Sequence, residues 1–357
     1  MSQNLLVKYG YTSYKTKNAN DSLPIEKIGR IIACHRNFYD VVTKENIVLA
    51  QVTGKYRNNL ESEGGYPVVG DFVQIHSTSS DFALIERTLD RTTVFYRKDM
   101  WSKSGMQVLA SNFDYVLICS SLNNDFSVKR IERYVALSVN SGAKVFILLT
   151  KSDLCSNYSE KVEICKRQFE KQNIEVIAVS VINGTGINTV KNIFSNGSVA
   201  LLIGSSGVGK SSLVNLLCGK KIMNTAAVRE GDDKGKHTTV VRQMICLEHG
   251  IIIDTPGLRE VGMVCVEDTI DELFSDIKEL ELQCKYTDCK HISRNGCAIL
   301  AAIEDGTLSS ARYENYLKMR RESQLLDDRG SYLLKKWKNS KQRSKNLKEA
   351  RKNRRKI

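Results

Sequence analysis

Apolar and polar positions follow two rhythms along this chain. From Gly29 to about Arg97, short runs rich in β-formers are broken by turn residues: Arg30–Ala33, Tyr39–Thr43, Val48–Val52, Asp71–Ile75 and Ala83–Glu86. Strand-sized pieces this closely spaced predict a small all-β barrel over residues 24–97. Beyond residue 98 the rhythm changes. Buried-strand runs at Tyr115–Ser120, Val145–Leu149, Ile174–Val179 and Val199–Ile203 alternate with helical patterns at Val128–Asn140, Glu160–Gln172, Ile187–Phe194 and Ser211–Leu217. Such alternation predicts βαβ units and a mostly parallel sheet over residues 98–262. Arg242–Leu247 and Ile251–Ile253 flank the turn Glu248-His249-Gly250 and read as an antiparallel hairpin at that sheet's edge. The pattern is helical again over residues 263–330. Residues 1–23 are polar without periodicity and are expected to be a flexible terminus, and residues 331–357 a basic tail.

Composition narrows the class. The 357 residues are 41% hydrophobic and 26% charged, ordinary for a globular protein with real cores. No apolar stretch approaches the ~18 residues of a membrane span, and no secretory signal opens the chain, so a cytoplasmic, membrane-free protein is expected. The net charge is +13, yet residues 335–357 alone hold 12 basic residues and one acid, Glu349. A nearly neutral body with a basic tail points to a polyanionic partner, and like charges keep such a tail loose until it meets one. Seven of the 10 cysteines are scattered (Cys34, Cys119, Cys155, Cys165, Cys218, Cys246 and Cys265) and read as small buried hydrophobes.

The motif with most chemistry is Gly204-Ser205-Ser206-Gly207-Val208-Gly209-Lys210-Ser211, followed by Ser212. It fits the phosphate-loop pattern G-x-x-x-x-G-K-[ST], with a buried strand before it and a helix after it. Glycines let backbone N–H groups turn toward phosphate oxygens, and the helix adds its positive end. Lys210 would reach the β- and γ-phosphates, and the Ser211 hydroxyl would ligate Mg²⁺. Asp254-Thr255-Pro256-Gly257 follows the apolar run Ile251–Ile253. Asp254 suits a second Mg²⁺ contact, and the Pro-Gly257 step would begin a switch.

Thr150-Lys151-Ser152-Asp153 closes another apolar strand. A carboxylate there accepts from guanine N1–H and N2–H₂, a pair adenine lacks, so Asp153 would select GTP over ATP. The Lys151 stem would cover a base face. A backbone N–H at Ser180-Val181, at the end of the next strand, is a candidate contact to guanine O6. Between the phosphate loop and D-x-P-G lies Gly235-Lys236-His237-Thr238-Thr239. Thr238 or Thr239 would cap Mg²⁺ and the γ-phosphate, and His237 is a candidate for orienting the attacking water. The competing reading of this stretch is a polar surface loop.

Order matters more than any single motif. In most GTPases the phosphate loop comes first; here the guanine-type loop (150–153) precedes it. Joining old termini and cutting elsewhere keeps a packed sheet intact, so the order suggests circular permutation. Downstream comes Cys284-x4-Cys289-x-His291-x5-Cys297. Three thiolates and an imidazole suit one tetrahedral, structural Zn²⁺, with buried free thiols or redox cysteines as alternatives.

A barrel, a permuted GTPase, a Cys/His cluster and a basic end, with T-K-S-D, G-S-S-G-V-G-K-S-S, K-H-T-T and D-T-P-G-L in that sequence, resemble the ribosome small-subunit-dependent GTPase A family over about residues 24–330. The resemblance implies an N-terminal OB-fold β-barrel, a circularly permuted P-loop GTPase domain and a C-terminal helical zinc-binding domain. It implies a monomer that binds the small (30S) ribosomal subunit and its 16S rRNA late in assembly. GTP hydrolysis to GDP, stimulated by that subunit, would be coupled to release. It also assigns His237 the catalytic role and Cys284, Cys289, His291 and Cys297 the zinc. Three places depart from the family pattern, one of them Arg294-Asn295-Gly296, which lacks the usual Glu-Pro before Cys297 and would loosen the zinc loop without touching a ligand. Thr150 stands where Asn is usual, which predicts a weaker hold on guanine, and Val181 stands for Ala. A non-catalytic rRNA-binding scaffold and an ATPase are the rival readings.

Overall fold

Strand β1 (Ile28–Cys34) is the seam of the molecule. With β2 (Tyr39–Val42), β3 (Ile47–Val52), β4 (Phe72–Ser77) and β5 (Phe82–Thr88) it forms a run ordered β1-β2-β3-β5-β4, and its first half pairs back to β4 through Ile28↔Gln74, Gly29↔Val73 and Arg30↔Phe72. That pairing closes a five-stranded barrel. β3 shows the cause: Val48, Ala50 and Val52 point into a core with Ile31, Val41, Ile75 and Ile85, while Ile47 and Leu49 face out. A short helix, α3 (Gly54–Asn58), leaves the end of β3 and is capped by the Thr53 hydroxyl, which accepts from Tyr56 N. The computed structural model describes residues 4–18, 23–60, 65–98, 106–194, 197–223, 242–254, 267–292 and 295–325.

The α/β part contains β8 (Tyr115–Ser121), β9 (Lys144–Thr150), β10 (Glu175–Ala178) and β11 (Ser198–Ile203), all parallel, then the antiparallel β12 (Arg242–Cys246) against β13 (Gly250–Asp254). β13 runs parallel to β11. β6 (Val94–Lys98) and β7 (Met106–Ser111) form a separate two-stranded ribbon. Helices α4 (Val128–Val139), α5 (Tyr158–Gln168), α6 (Ile187–Ile193) and α7 (Lys210–Cys218) connect the parallel strands or come after them. α4 starts where Ser127 accepts from Arg130 N, and it buries Ile131, Tyr134, Val135 and Ser138, one helical face. Leu117, Leu148, Ile177, Ala200, Leu202 and Ile252 share a core with Val190, Leu213 and Val214.

Three sequence expectations change here. The β12–β13 hairpin forms, but β12 is not an edge: Ala33↔Gln243 and Cys34↔Arg242 pair it with β1. A bulge between Ile31 and Ala33 marks the place where β1 turns from β4 toward β12. Barrel and parallel sheet are thus one eleven-stranded sheet rather than two separate sheets. Second, the terminus expected to be flexible carries α1 (Leu5–Lys8) and α2 (Tyr11–Lys17). Its sequence looks polar, yet Leu6, Tyr11 and Tyr14 are buried, and Tyr14 stacks on Phe72 at 4.0 Å. Lys17 pairs with Asp114 at 2.7 Å. Third, Cys119, Cys155 and Cys165 are buried as expected, but Cys34, Cys218 and Cys246 are only half-buried, and Cys265 lies outside the described residues.

Arg30, 1% exposed on β1, collects carbonyls from three segments: Gly70 at 3.2 Å, Asn112 at 2.6 Å and Tyr9. Burial lowers its guanidinium to about 10, against the pull of Asp114 and Asp71, so it stays charged near neutrality. Asp71, fully buried beside it, takes a bidentate contact from Arg91 at 2.7 Å.

The described residues within 97–107 and 264–357 make up a second compact unit. Its described helices are α8 (Glu267–Leu273), α9 (Ser275–Leu282), α10 (Ala298–Glu304) and a helix over residues 310–325. Among the described residues Ile270, Leu273, Phe274, Ile277, Ile299 and Tyr316 are its fully buried hydrophobic side chains. No helix among the described residues is long and apolar enough to cross a membrane.

Candidate nucleotide site and metal cluster

β11 delivers the glycine loop at the C-terminal edge of the parallel strands, where open α/β sheets hold ligands. Gly204 has φ +141°, and a Cβ there would lie 2.3 Å from the Cys119 carbonyl oxygen, so no side chain fits. Gly209, at φ +97°, opens α7 in the left-handed region. Lys210 Nζ donates to the carbonyls of Gly204 and Ser205, each at 2.6 Å, which holds the ammonium inside the loop. Burial lowers the Lys210 ammonium below its ordinary value, and Asp254 opposes that shift. Asp254, 3% exposed at the end of β13, has its carboxyl raised by burial, and Lys210 pulls it back only in part. Ser211 and Ser212 sit in the first turn of α7; Ser206 and Gly207 are exposed at the loop's tip, and Val208 is buried beneath it.

β9 delivers the second loop on the same edge, one strand away across β8. The structure shows a task for Thr150 that the sequence does not announce. Its buried hydroxyl donates to the Val208 carbonyl of the glycine loop and lies 3.3 Å from Ser120 O. A guanine-type loop and a phosphate loop 58 residues apart are therefore bonded directly. Lys151 is left-handed at φ +58°, which turns the chain into the short 3₁₀ turn carrying Asp153. Asp153 is exposed, and its Oδ1 accepts from the Ser180 hydroxyl at 2.6 Å. Ser180 Oγ in turn accepts from Ile182 N and Asn183 N. Of the two N–H groups expected near guanine O6, that of Ser180 already donates to Thr185 O. Ser180 thus acts on the carboxylate, and Val181 remains beside it, half-buried. Ser152 is buried, with N donating to Val179 O.

Pattern reading missed the residues behind the glycine loop. Arg130 Nη1 on α4 lies 3.3 Å from Ser205 Oγ while both its terminal nitrogens hold Asp125 at 2.6 and 2.8 Å. The Tyr134 hydroxyl lies 3.5 Å from the same Ser205 oxygen. These residues sit some 70 positions before the loop, and no spacing links them to it. His237, Thr238, Thr239 and Gly257 lie outside the described residues.

The second unit gathers Cys284, Cys289, His291 and Cys297, whose ligand atoms all lie within 4.8 Å of one another. Tetrahedral zinc, at about 2.3 Å from sulfur and about 2.0–2.1 Å from nitrogen, sets its S and N ligands about 3.6 Å apart. His291 Nδ1 stands 3.7 Å from Cys284 Sγ and 3.4 Å from Cys297 Sγ, so the donor set fits zinc in size and in chemistry. Burial raises the Cys284 thiol, but N–H groups of Ala298 and Ile299 and the Cys289 and Cys297 side chains outweigh it and leave the thiol below its ordinary value. Cys297 caps α10 by accepting from Leu300 N at 3.4 Å. Gly296, beside it, sits at φ +77°.

A glycine loop and a T-K-x-D loop bonded together on one edge of a parallel sheet, in reversed order along the chain, define a circularly permuted P-loop GTPase. The comparisons with known proteins agree. A family model described as RsgA GTPase matches residues 88–264, one described as RsgA N-terminal domain matches residues 28–85, and one described as 50S ribosome-binding GTPase matches residues 199–348. The chain is 39% identical over 318 residues, 89% of each chain, to a protein of Lactiplantibacillus plantarum named small ribosomal subunit biogenesis GTPase RsgA 2. Among solved structures it resembles YjeQ from Thermotoga maritima (TM-score 0.59, 24% identity, 83% of this chain and 98% of that one). It also resembles YloQ, described as a circularly permuted GTPase (TM-score 0.56, 21% identity, 83% and 94%). The chain belongs to the RsgA GTPase family.

Proposed function

We propose that this chain hydrolyses GTP to GDP and phosphate on the small (30S) ribosomal subunit during late assembly, and that hydrolysis times its release. The observation that carries the reading is the Thr150–Val208 bond, which fastens a base-reading loop to a phosphate loop and so builds one site for one guanosine triphosphate. In it, backbone N–H groups from Gly204 to Ser212 and the Lys210 ammonium bind the phosphates, and the Ser211 hydroxyl and Asp254 carboxylate hold Mg²⁺. Asp153, oriented by Ser180, accepts from guanine N1–H and N2–H₂, with the Lys151 stem and Val181 beside the base. On sequence grounds Thr238 or Thr239 completes the Mg²⁺ shell, Gly257 belongs to the switch and His237 orients water. The four-residue cluster holds one structural Zn²⁺. The chain works as a cytoplasmic monomer, with the barrel and basic tail on 16S rRNA.

The test is turnover of GTP and ATP by the full chain alone, with purified small subunits and with purified large subunits. Stimulation by small subunits, restricted to GTP, is expected. No turnover under any condition favours a scaffold, an ATP preference removes Asp153 from its role, and stimulation by large subunits alone overturns the assigned partner. Asp153→Asn replaces an acceptor pair by an amide and should cost about 100-fold or more in GTP affinity while improving binding of xanthosine triphosphate, whose ring carries an acceptor at position 2.

A further inference from the structure

His291 has two ring nitrogens, and only one can ligate. Nδ1 faces Cys284 and Cys297 at 3.7 and 3.4 Å. Nε2 faces the other way, and the Glu281 carboxylate stands 4.0 Å from it. The ring is fixed from its other sides as well. His291 holds a left-handed backbone at φ +52°, rare for a residue with a side chain, and Tyr313 meets its ring edge-on at 6.2 Å.

Glu281 is itself held in place. It lies in the last turn of α9, 22% exposed. Its Oε1 accepts from the Tyr316 hydroxyl at 3.3 Å, and its Oε2 pairs with Lys278 at 3.4 Å. Fully buried Tyr316 accepts from Arg320 at 3.1 Å, and Arg320 also grips Glu267 of α8 at 2.7 Å. A chain of polar contacts from α8 through the helix over residues 310–325 thus points one carboxylate at the back of the imidazole.

We propose that Glu281 is a positioning residue for the metal cluster: in the zinc-bound protein its carboxylate closes the 4.0 Å gap to Nε2, accepts the Nε2–H of His291 and so fixes the tautomer in which Nδ1 is the ligating atom. The proposal rests on the zinc reading of the cluster. A neutral imidazole carries one N–H, and the group that accepts it decides which nitrogen keeps a free lone pair. A carboxylate acceptor also makes the ligating nitrogen more basic. Nothing in the Cys-x4-Cys-x-His-x5-Cys spacing signals Glu281, which lies ten residues upstream on a helix.

The test uses the full chain, ¹⁵N-labelled at histidine and loaded with zinc. Two-bond ¹H–¹⁵N correlation spectra are expected to show His291 as the Nε2–H tautomer with Nδ1 metal-bound. Chelator-competition titrations should show Glu281→Ala binding zinc about 10- to 100-fold more weakly, with Glu281→Gln, which keeps an oxygen acceptor, in between. Zinc bound through Nε2 in the unaltered chain overturns the proposal, as does an unchanged affinity in a folded Glu281→Ala. The spectrum of the unaltered chain decides the matter even where a variant fails to fold. A chain that takes up no zinc at all instead sinks the reading of the cluster itself.

Discussion

The candidate nucleotide site and the candidate metal cluster would hold a ligand in opposite ways. At the first, main chain does most of the holding. Two loops leave adjacent regions of a buried parallel sheet, glycines at 204 and 209 set the curl, and one buried hydroxyl locks the loops together. At the second, the holding falls to four side chains from the chain between α9 and α10. Ligand removal should therefore leave the first site standing and collapse the second.

The largest effect comes from that contrast. Chelation, or Cys289→Ser, should unfold much of the second unit, with a loss of about 5 kcal/mol or more. Structural zinc gives isolated zinc-finger peptides ~10–16 kcal/mol, and here the apolar contacts of Ile270, Phe274, Ile277 and Ile299 offset part of the loss. Hydrogen exchange should show α9 and α10 opening while the β8–β11 core stays protected. Equal loss of protection in both regions would mean that the contrast between the two sites is false.

A smaller effect sharpens the first half of the comparison. Thr150→Val keeps the shape of the side chain but leaves the Val208 carbonyl without its donor. The expected loss is about 1–2 kcal/mol of stability, with GTP affinity down by about five- to tenfold, since the two halves of the site are no longer tied. Thr150→Ser should restore most of both. A Val variant with unaltered urea midpoint and unaltered GTP binding would show that the loops are held by the sheet alone.

Much of the fold was legible in the sequence because the signals are local. The barrel strands, the βαβ rhythm, the glycine loop and the Cys/His spacing each declare themselves within a few residues of chain. The features that stayed hidden depend on distant partners. The sequence marks Thr150 as a departure at a base-reading position; only the fold brings Val208 within reach of its hydroxyl. Tyr11 and Tyr14 look like part of a polar terminus until Phe72 is found beneath them. The hairpin reads as an edge because nothing local announces that β1 will change partners at a bulge and extend the sheet. Arg130 and Glu281 share this character, each reaching toward a recognisable functional residue from an unmarked position; Ser180 is marked as a base contact, but only the fold shows its hydroxyl on Asp153.

The smallest effect concerns Asp254 and carries a sign that separates site from scaffold. Burial raises its carboxyl above the ordinary value, and Lys210 offsets this only in part. A carboxyl whose folded pKa is raised binds its proton more tightly in the folded chain. Its favourable contribution is present below the unfolded value of ~3.9 and is lost as pH rises through the folded value. Above that folded value the ionised group therefore costs stability, a cost that the proposed Mg²⁺ contact of Asp254 would explain. Asp254→Asn should raise the stability of the nucleotide-free chain by about 0.5–2 kcal/mol at pH 7, and the gain should shrink as pH falls toward 4. Lys210 still has the Gly204 and Ser205 carbonyls in the variant. The same change should weaken Mg²⁺-dependent GTP binding, so added Mg²⁺ and nucleotide raise the melting temperature of the Asn variant less than that of the unaltered chain. Thermal melts between pH 4 and 8, with and without Mg²⁺ and nucleotide, check both signs. A variant that melts lower at pH 7 without nucleotide would show that Asp254 supports the fold rather than straining it.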